Sequence, residues 1–458
     1  MASLTQPAAS RASSEWRLRL GVVLLIALGL RLITLSPFLG AKAVFDEAYY
    51  LSVASDIREG RGHTNGLSGS EEPSAGKPPL YPALLAGLQM LWGRDPTLLR
   101  SFQIVPSLIT VALVFSMAAR RYGTRAGLAS GLFCALSPSL VHYSHLIWPE
   151  SLAALLVALF FWFVERYDRL GRLRDIALAG VVLGVSALNK GVWVYFGVLV
   201  IGWLLFRKRD LRAAAAPAAL FAVAAAVVIL PWTARNHREL DRVVLVANQT
   251  WFAIAVGNLY PVDDWYLGST PKRERQLLMA AANQYPEFER EDFYREVALQ
   301  VIGDHQPWWI FQKMVRAPAA LYGLESGQLR FVENGWIDPG PTVSRALVVY
   351  DVLGHYATLI PAVVALWVIP GGPVKWLAVL AVLYLNGIHV LANAFPRYHV
   401  VMLPIVFTYA GALAARSFDA KQVATWRWVG AAASAAAFVL IPLPRSLAYL
   451  SGLWAGIG

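Results

Sequence analysis

The chain has 458 residues, 57% of them hydrophobic and only 15% charged, with a formal net charge of +11. A soluble globular chain carries about 25% charged residues, so composition excludes a water-soluble domain and points to an integral membrane protein. The basic residues fall in short clusters between apolar runs, which excludes a nucleic-acid footprint and matches the positive-inside pattern.

Arg11, Arg17 and Arg19 precede the first apolar run, and no small-residue cleavage site follows cleanly. The N-terminus therefore reads as an uncleaved first helix. Apolar runs recur over residues 18–37, 100–119, 126–141, 150–164, 176–188, 191–206, 213–231, 346–369, 376–394, 399–415 and 428–443. They predict an all-α polytopic membrane protein with about eleven transmembrane helices. Basic clusters at Arg120 to Arg125, Arg166 to Arg174, Arg207 to Arg212 and Arg416 to Arg427 occupy alternate junctions. These junctions and the N-terminus are assigned to the cytoplasm.

The chain reads as a single transmembrane domain, 1–458, whose opposite face receives two long segments, 38–99 and 232–345. In the first, Pro79 to Trp92 is apolar but only about 14 residues long, too short to span, and predicts a juxtamembrane helix. The second contains D-D-W at Asp263 to Trp265, an acidic run from Pro286 to Gln300 and the amphipathic stretch His305 to Arg316. Short helices lying along the membrane surface are expected there. The Ala-rich stretches Ala213 to Ala225 and Ala431 to Ala437 suit tight helix packing. Cys134 is the single cysteine and sits in an apolar run, so no disulfide or thiolate metal site is expected. Dinucleotide, Walker and zincin motifs are absent from the sequence.

Just beyond the first run the chain reads F-D-E-A-Y-Y, Phe45 to Tyr50. Carboxylates at that depth are expensive and mark a site or a pathway. Asp46 falls at the start of an apolar helical face, where it could cap backbone N–H groups or point into a cleft. Adjacent residues point in different directions on a helix, so Asp46 and Glu47 do not serve one atom. Asp46 is taken as the general base and Glu47 as its orienting or acceptor-contacting neighbour, with Tyr49 and Tyr81 as further substrate-contacting candidates. Lys77 opens G-K-P-P-L-Y-P, a stiff turn presenting an ammonium that suits a phosphate headgroup. In H-Y-S-H-L-I-W-P-E, Glu150 begins a helix, and His142 and His145 are spaced to share a face. These three are candidates for contacting substrate or a metal ion. Lys190, Arg235 and Arg397 map to the same outer face, against the positive-inside tendency, and need a counter-anion such as a lipid phosphate. Arg100 either serves this site or partners an acidic group structurally.

Taken together, F-D-E-A-Y-Y, G-K-P-P-L-Y-P, P-E-S at Pro149 to Ser151, A-L-N-K-G at Ala187 to Gly191, P-W at Pro231 and Trp232, and P-R-Y at Pro396 to Tyr398 resemble one family. It is that of the bacterial GT-C fold membrane glycosyltransferases related to protein O-mannosyltransferases and the lipid A aminoarabinose transferase. The likeness covers about residues 15–415. It implies a GT-C fold with juxtamembrane helices in the first external loop, in a multi-pass protein of the bacterial inner membrane. It also implies a polyprenyl-phosphate sugar donor used at the periplasmic or external face, the catalytic Asp at Asp46 and the donor-phosphate lysine at Lys77. The chain departs from the pattern at Gly76, where relatives often have Glu, and at Glu150, where they often have Asp. With the last apolar run close to residue 458, the large soluble C-terminal domain that some relatives carry is not expected.

The expected reaction moves the sugar to a hydroxyl of a lipid, glycan or protein acceptor in one inverting displacement, with Lys77, Arg397 and Lys190 on the phosphate. No cofactor is required; a divalent ion bridging Asp46 and Glu150 is left open for a diphosphate donor. Besides donor and acceptor, membrane lipids are the expected partners. The rival class is a transporter or flippase of an anionic lipid or lipid-linked sugar. It would use the same external cations but line a polar path to the cytoplasmic side.

Overall fold

A computed structural model describes residues 6–66, 72–207, 211–259, 271–324 and 327–457. The D-D-W stretch at Asp263 to Trp265 lies outside them. The described residues form helices and one isolated bridge, Thr64 to Pro73, with no sheet.

A helix occupies each of the eleven apolar runs, but they are not alike in length. Seven helical segments of the described residues are long and apolar enough to cross a membrane: Glu15–Phe38, Pro96–Tyr122, Arg212–Leu240, Pro341–Val368, Pro373–Leu391, Pro396–Ala414 and Thr425–Trp454. The helices Thr124–Leu136, Leu173–Asn189 and Trp193–Arg207 are 13, 17 and 15 residues long. Glu150–Leu170 has 21 residues, yet Glu165, Arg166, Asp168 and Arg169 crowd its last turns. The count of eleven is thereby reduced to seven spans of full length.

The bundle is apolar on its outside as well as in its core. Leu25, Ile33, Val227 and Leu383 are exposed large side chains on spanning helices, as a lipid-facing surface requires. Inside, small residues let backbones close up. A Cβ on Gly180 would lie 2.4 Å from the Phe221 carbonyl oxygen and one on Gly184 2.8 Å from that of Ala225. This G-x-x-x-G face seats Leu173–Asn189 against the Ala-rich helix Leu211–Leu240.

The basic clusters converge at one end of the bundle. Arg166 pairs with Asp175 at 3.2 Å, Arg207 pairs with Asp168, and Arg120 lies 4.3 Å from the Trp162 ring centre. At the other end, the loop after the first span turns into the helix Asp46–Arg58, which packs on the juxtamembrane helix Leu80–Trp92. Tyr49, Tyr50, Val53 and Ala54 meet Tyr81, Leu85, Ala86 and Leu88 there in a small core of their own. Thirteen residues give Leu80–Trp92 a length of about 20 Å, short of the hydrocarbon thickness.

In the second long segment, helices Thr250–Asn258, Pro271–Ala282 and Glu287–Asp304 pack together through Ala255, Leu278, Ala282, Tyr294 and Ala298. The Glu291 carboxylate accepts from the backbone N–H groups of Trp251 and Phe252 at 2.9 and 3.2 Å, capping Thr250–Asn258. The amphipathic stretch becomes the helix Trp308–Leu321, with Trp308, Phe311, Met314 and Val315 exposed along it.

The clasp at the site end is the pair of Glu47 and Arg100, both side chains 0% exposed. Arg100 Nη2 and Nε donate to the two carboxylate oxygens at 2.6 and 3.2 Å. The guanidinium also donates to the backbone oxygens of Phe38, Ala41 and Lys42, and Glu47 accepts from the Ile147 N–H at 3.0 Å. Removing one member of such a pair strands the other charge. We therefore expect Glu47→Ala to cost about 3–5 kcal/mol, read as a lowered thermal midpoint of the detergent-solubilised protein. Glu47→Met with Arg100→Met should recover only part of it, because three carbonyls lose their donor.

Candidate active site

Asp46 is the first residue of its helix, and the chain reaches it through Phe45, whose φ of +52° is rare for a residue with a side chain. Such strain persists only where the surroundings over-determine it. The Phe45 ring packs 4.7 Å from that of Trp336, and the buried Glu47 clasp fixes the next turn. Because Glu47 faces inward, its neighbour Asp46 is turned out toward the cations. Glu47 therefore contacts Arg100 and backbone, not an acceptor, and Arg100 is its structural partner.

Arg397 Nη1 donates to Asp46 Oδ2 at 2.5 Å. The guanidinium is walled by aromatic rings, 5.0 Å from the centre of Trp148, 5.3 Å from Tyr398 and 5.7 Å from Phe395. Tyr398 itself stacks on His389 at 4.4 Å, and the Lys190 ammonium lies 5.5 Å from its ring. Lys190 donates to Glu150 Oε1 at 2.8 Å, joining the end of Leu173–Asn189 to the start of Glu150–Leu170. Lys77 makes no hydrogen bond or ion pair among the described residues; its ammonium sits 5.7 Å from the Tyr49 ring.

Burial pushes the Asp46 carboxyl upward, but Arg397, then Lys77 and Lys190, outweigh it and hold the group down at about 2. Burial also lowers the Lys77 ammonium, with Asp46 opposing the shift and Arg397 and Lys190 adding to it. The Asp46 side chain is nonetheless 34% exposed, so the carboxylate is enclosed by charge without being sealed from solvent.

Lys77 is held by its turn, and the turn is held by the second long segment. Arg235 donates to the backbone oxygens of Ser74 and His63 at 2.9 and 3.0 Å and pairs with Glu239 at 2.6 Å. The Ala75 N–H donates to Glu287 Oε1 at 3.1 Å, and the Asn248 N–H donates to the Ala75 oxygen at 2.8 Å. Arg235, expected to meet substrate, instead fastens this loop.

The other candidates separate. Tyr49 and Tyr81 are buried, with Tyr81 edge-on to Tyr50 at 5.1 Å. His142 lies 3.7 Å from Asp351 and His145 contacts Thr34 Oγ1 at 2.7 Å, both facing the bundle interior. Their spacing of three does not bring them to one ligand, because each imidazole turns to a different spanning helix. Among the described residues no group of three or more His, Cys, Asp or Glu side chains could hold a metal ion. Asp46 and Glu150, the pair considered for a divalent ion, each already face a cation. That donor set does not fit a metal, and no step is routed through one.

Sequence reading placed Tyr398 beside Arg397 in P-R-Y but missed Trp148 and His389 around it, and Glu287 and Asn248 behind Lys77. Tyr398 and Trp148 did carry a signal, as aromatics placed beside a site cation and a site carboxylate in P-R-Y and W-P-E. Glu287 carried none.

Two cavities border this end. One of about 410 Å³ is lined by Ser52, Ser55, Asp56, Glu59, Arg61 and Arg94. An apolar one of about 280 Å³ is lined by Tyr322, His399, Met402, Val406, Phe438 and neighbours. Neither is lined by Asp46 or Lys77.

Fold and site thus define a multi-pass helical membrane protein that gathers carboxylates and cations at one end of its bundle. Residues 76–234 match the family model described as dolichyl-phosphate-mannose-protein mannosyltransferase. The stretch holds Lys77, Glu150 and Lys190. No curated protein matches the chain. Among solved structures, ArnT from Cupriavidus metallidurans bound to undecaprenyl phosphate is 18% identical, covering 86% of this chain and 76% of that one, with a TM-score of 0.38. The oligosaccharyltransferase of Archaeoglobus fulgidus in complex with Zn and sulfate is 12% identical, covering 95% of this chain and 53% of that one, with a TM-score of 0.47. The same organism's AglB, with an inhibitory peptide and a dolichol-phosphate, is 11% identical over 96% and 56%, at 0.42. The chain spans about half the length of these archaeal proteins.

The fastening role of Arg235 has a direct readout. In Arg235→Ala, amide exchange over residues 72–77 should quicken about five- to tenfold, the effect of losing a hydrogen bond that holds a loop. Exchange in Asp46–Arg58 should stay unchanged, and equal protection in both segments would remove the assignment.

Proposed function

We propose that this chain is a GT-C fold glycosyltransferase of the bacterial plasma membrane. It moves a sugar from a polyprenyl-phosphate-linked donor to an acceptor hydroxyl of a lipid, glycan or protein. The observation that carries the reading is the Asp46 carboxylate set among Arg397, Lys77 and Lys190, in a chain whose residues 76–234 match a family named for a lipid-phosphate sugar donor. The Asp46 end faces the periplasm or exterior, and the clustered arginines face the cytoplasm. The four remaining apolar helices complete a set of about eleven membrane-embedded helices. Segments 38–99 and 232–345 form the external part of one domain.

In the transfer step the acceptor oxygen attacks the anomeric carbon as the bond from that carbon to the phosphate oxygen breaks on the opposite face. The acceptor proton passes to Asp46, and the phosphate leaves with one further negative charge. One in-line displacement inverts the anomeric centre. Lys77, Arg397 and Lys190 meet the charge that develops on the leaving phosphate, where fixed cations count most. Glu150 holds Lys190 in position.

Asp46→Asn keeps the size of the side chain and removes its basicity. Sugar transfer should fall by about 10²–10⁴-fold while the protein stays monodisperse; near-wild-type turnover would end the assignment. Lys77→Ala removes an ammonium that no carboxylate pairs, so donor use should weaken by about 1.5–3 kcal/mol. A donor titration in nanodiscs measures it, and an unchanged kcat/KM would take Lys77 off the phosphate.

A further inference from the structure

The Asp46–Arg397 pair sets a contradiction that the structure itself resolves. A carboxylate clamped to a guanidinium at 2.5 Å is a poor proton acceptor, and a guanidinium clamped to a carboxylate is a poor phosphate ligand. Each group is occupied by the other in the resting protein. Resting on the donor-phosphate reading above, we propose that this pair is a latch opened by the donor. The arriving phosphate takes over Arg397, and the released Asp46 turns to the acceptor hydroxyl.

Four observations converge on it. Lys77 offers an incoming anion a first, unpaired cation beside the pair. Of the three ion pairs made by Asp46, Glu47 and Glu150, Asp46–Arg397 is the most open, its side chains 34% and 22% exposed, against 2% and 17% for Glu150–Lys190 and 0% for both Glu47 and Arg100. Part-exposed pairs hold weakly and buried ones hold firmly, so an anion opens this pair first. Arg397 is packed among Trp148, Phe395 and Tyr398, whereas Asp46 stands at a helix end behind the strained Phe45, so the carboxylate is the half that swings. Finally, Asp46 is held low chiefly against its own burial by Arg397, and a phosphate that neutralises Arg397 and Lys77 relieves that hold.

The order of events follows. Donor binding precedes activation of the base, so the base is made only where a sugar is already in place. After transfer Asp46 carries the acceptor's proton and is neutral, and the lipid phosphate keeps Arg397. Loss of that proton to water restores the carboxylate, which competes for Arg397 and expels the spent carrier.

The test is direct binding of farnesyl monophosphate, a short isoprenyl phosphate without a sugar, to the detergent-solubilised full chain. Asp46→Asn removes the competing charge, so the probe should bind roughly two- to fivefold tighter than to wild type, the factor a part-exposed ion pair is worth. Asp46→Ser serves as a second variant, and Lys77→Ala should weaken binding in either background. Equal or weaker binding by folded Asp46→Asn and Asp46→Ser proteins, with wild type saturable and Lys77-dependent, overturns the latch and leaves the donor-phosphate reading standing. Absence of saturable, Lys77-dependent binding to wild type overturns both. A latch also predicts that probe binding quickens amide exchange at residues 45–49 in wild type and not in Asp46→Asn.

Discussion

Two fully buried charges determine the shape of the Asp46 end of the bundle. Glu47 and Arg100 share both carboxylate oxygens, and Arg100 spends its remaining donors on Phe38, Ala41 and Lys42. In a low-dielectric interior an unpaired member would be intolerable, so this geometry leaves the loop little freedom. It ties the exit of the first span, the start of the external helix, the second span and the Ile147 backbone to one point. A carboxylate next in sequence to a clasped one must point elsewhere. The exposure of Asp46 is therefore a by-product of how firmly Glu47 is held.

The site assembles from chain pieces hundreds of residues apart, and each piece is a helix end. Asp46 opens one helix, Glu150 another, Lys190 closes a third, and Arg397 lies in the short turn before Leu403–Ala414. Helix ends have backbone groups without intrahelical partners and so tolerate polar company, and in a membrane protein they also collect near the aqueous boundary. The span interiors then remain free to be apolar. Aromatic rings take the place of water around the cations, so Arg397 rests among three rings.

Much of this was legible in residue order. Helices announce themselves by apolar length, and the arginine clusters that gather at one end of the bundle by their alternate junctions. F-D-E-A-Y-Y and K-P-P stand out because charge at such places needs a reason. Helical geometry already separated Asp46 from Glu47, yet not which of the two would be buried, since Arg100 had equal claims as site residue and as structural partner. The histidines misled because orientation is a tertiary property. His142 and His145 share a short stretch but turn to Asp351 and Thr34 on different helices. The short apolar runs are not separable into spans and buried helices by composition, because apolarity marks burial in protein as well as in lipid. Leu173–Asn189 has little lipid to face where its glycines press on Leu211–Leu240.

Glu291 connects the pH of the medium to this arrangement. It caps Thr250–Asn258 from the same helix whose Glu287 holds the Lys77 turn. Burial pushes its carboxyl up, against the pull of the Trp251 and Phe252 N–H groups and with help from Glu287 and Asp292, to about 7 from an ordinary 4.5. The folded protein thus keeps this proton more tightly than the unfolded chain does. The contribution is complete in mild acid and drains away as pH climbs from about 4.5 through about 7. A compartment that acidifies would stiffen the scaffold behind Lys77, and an alkaline one would loosen it.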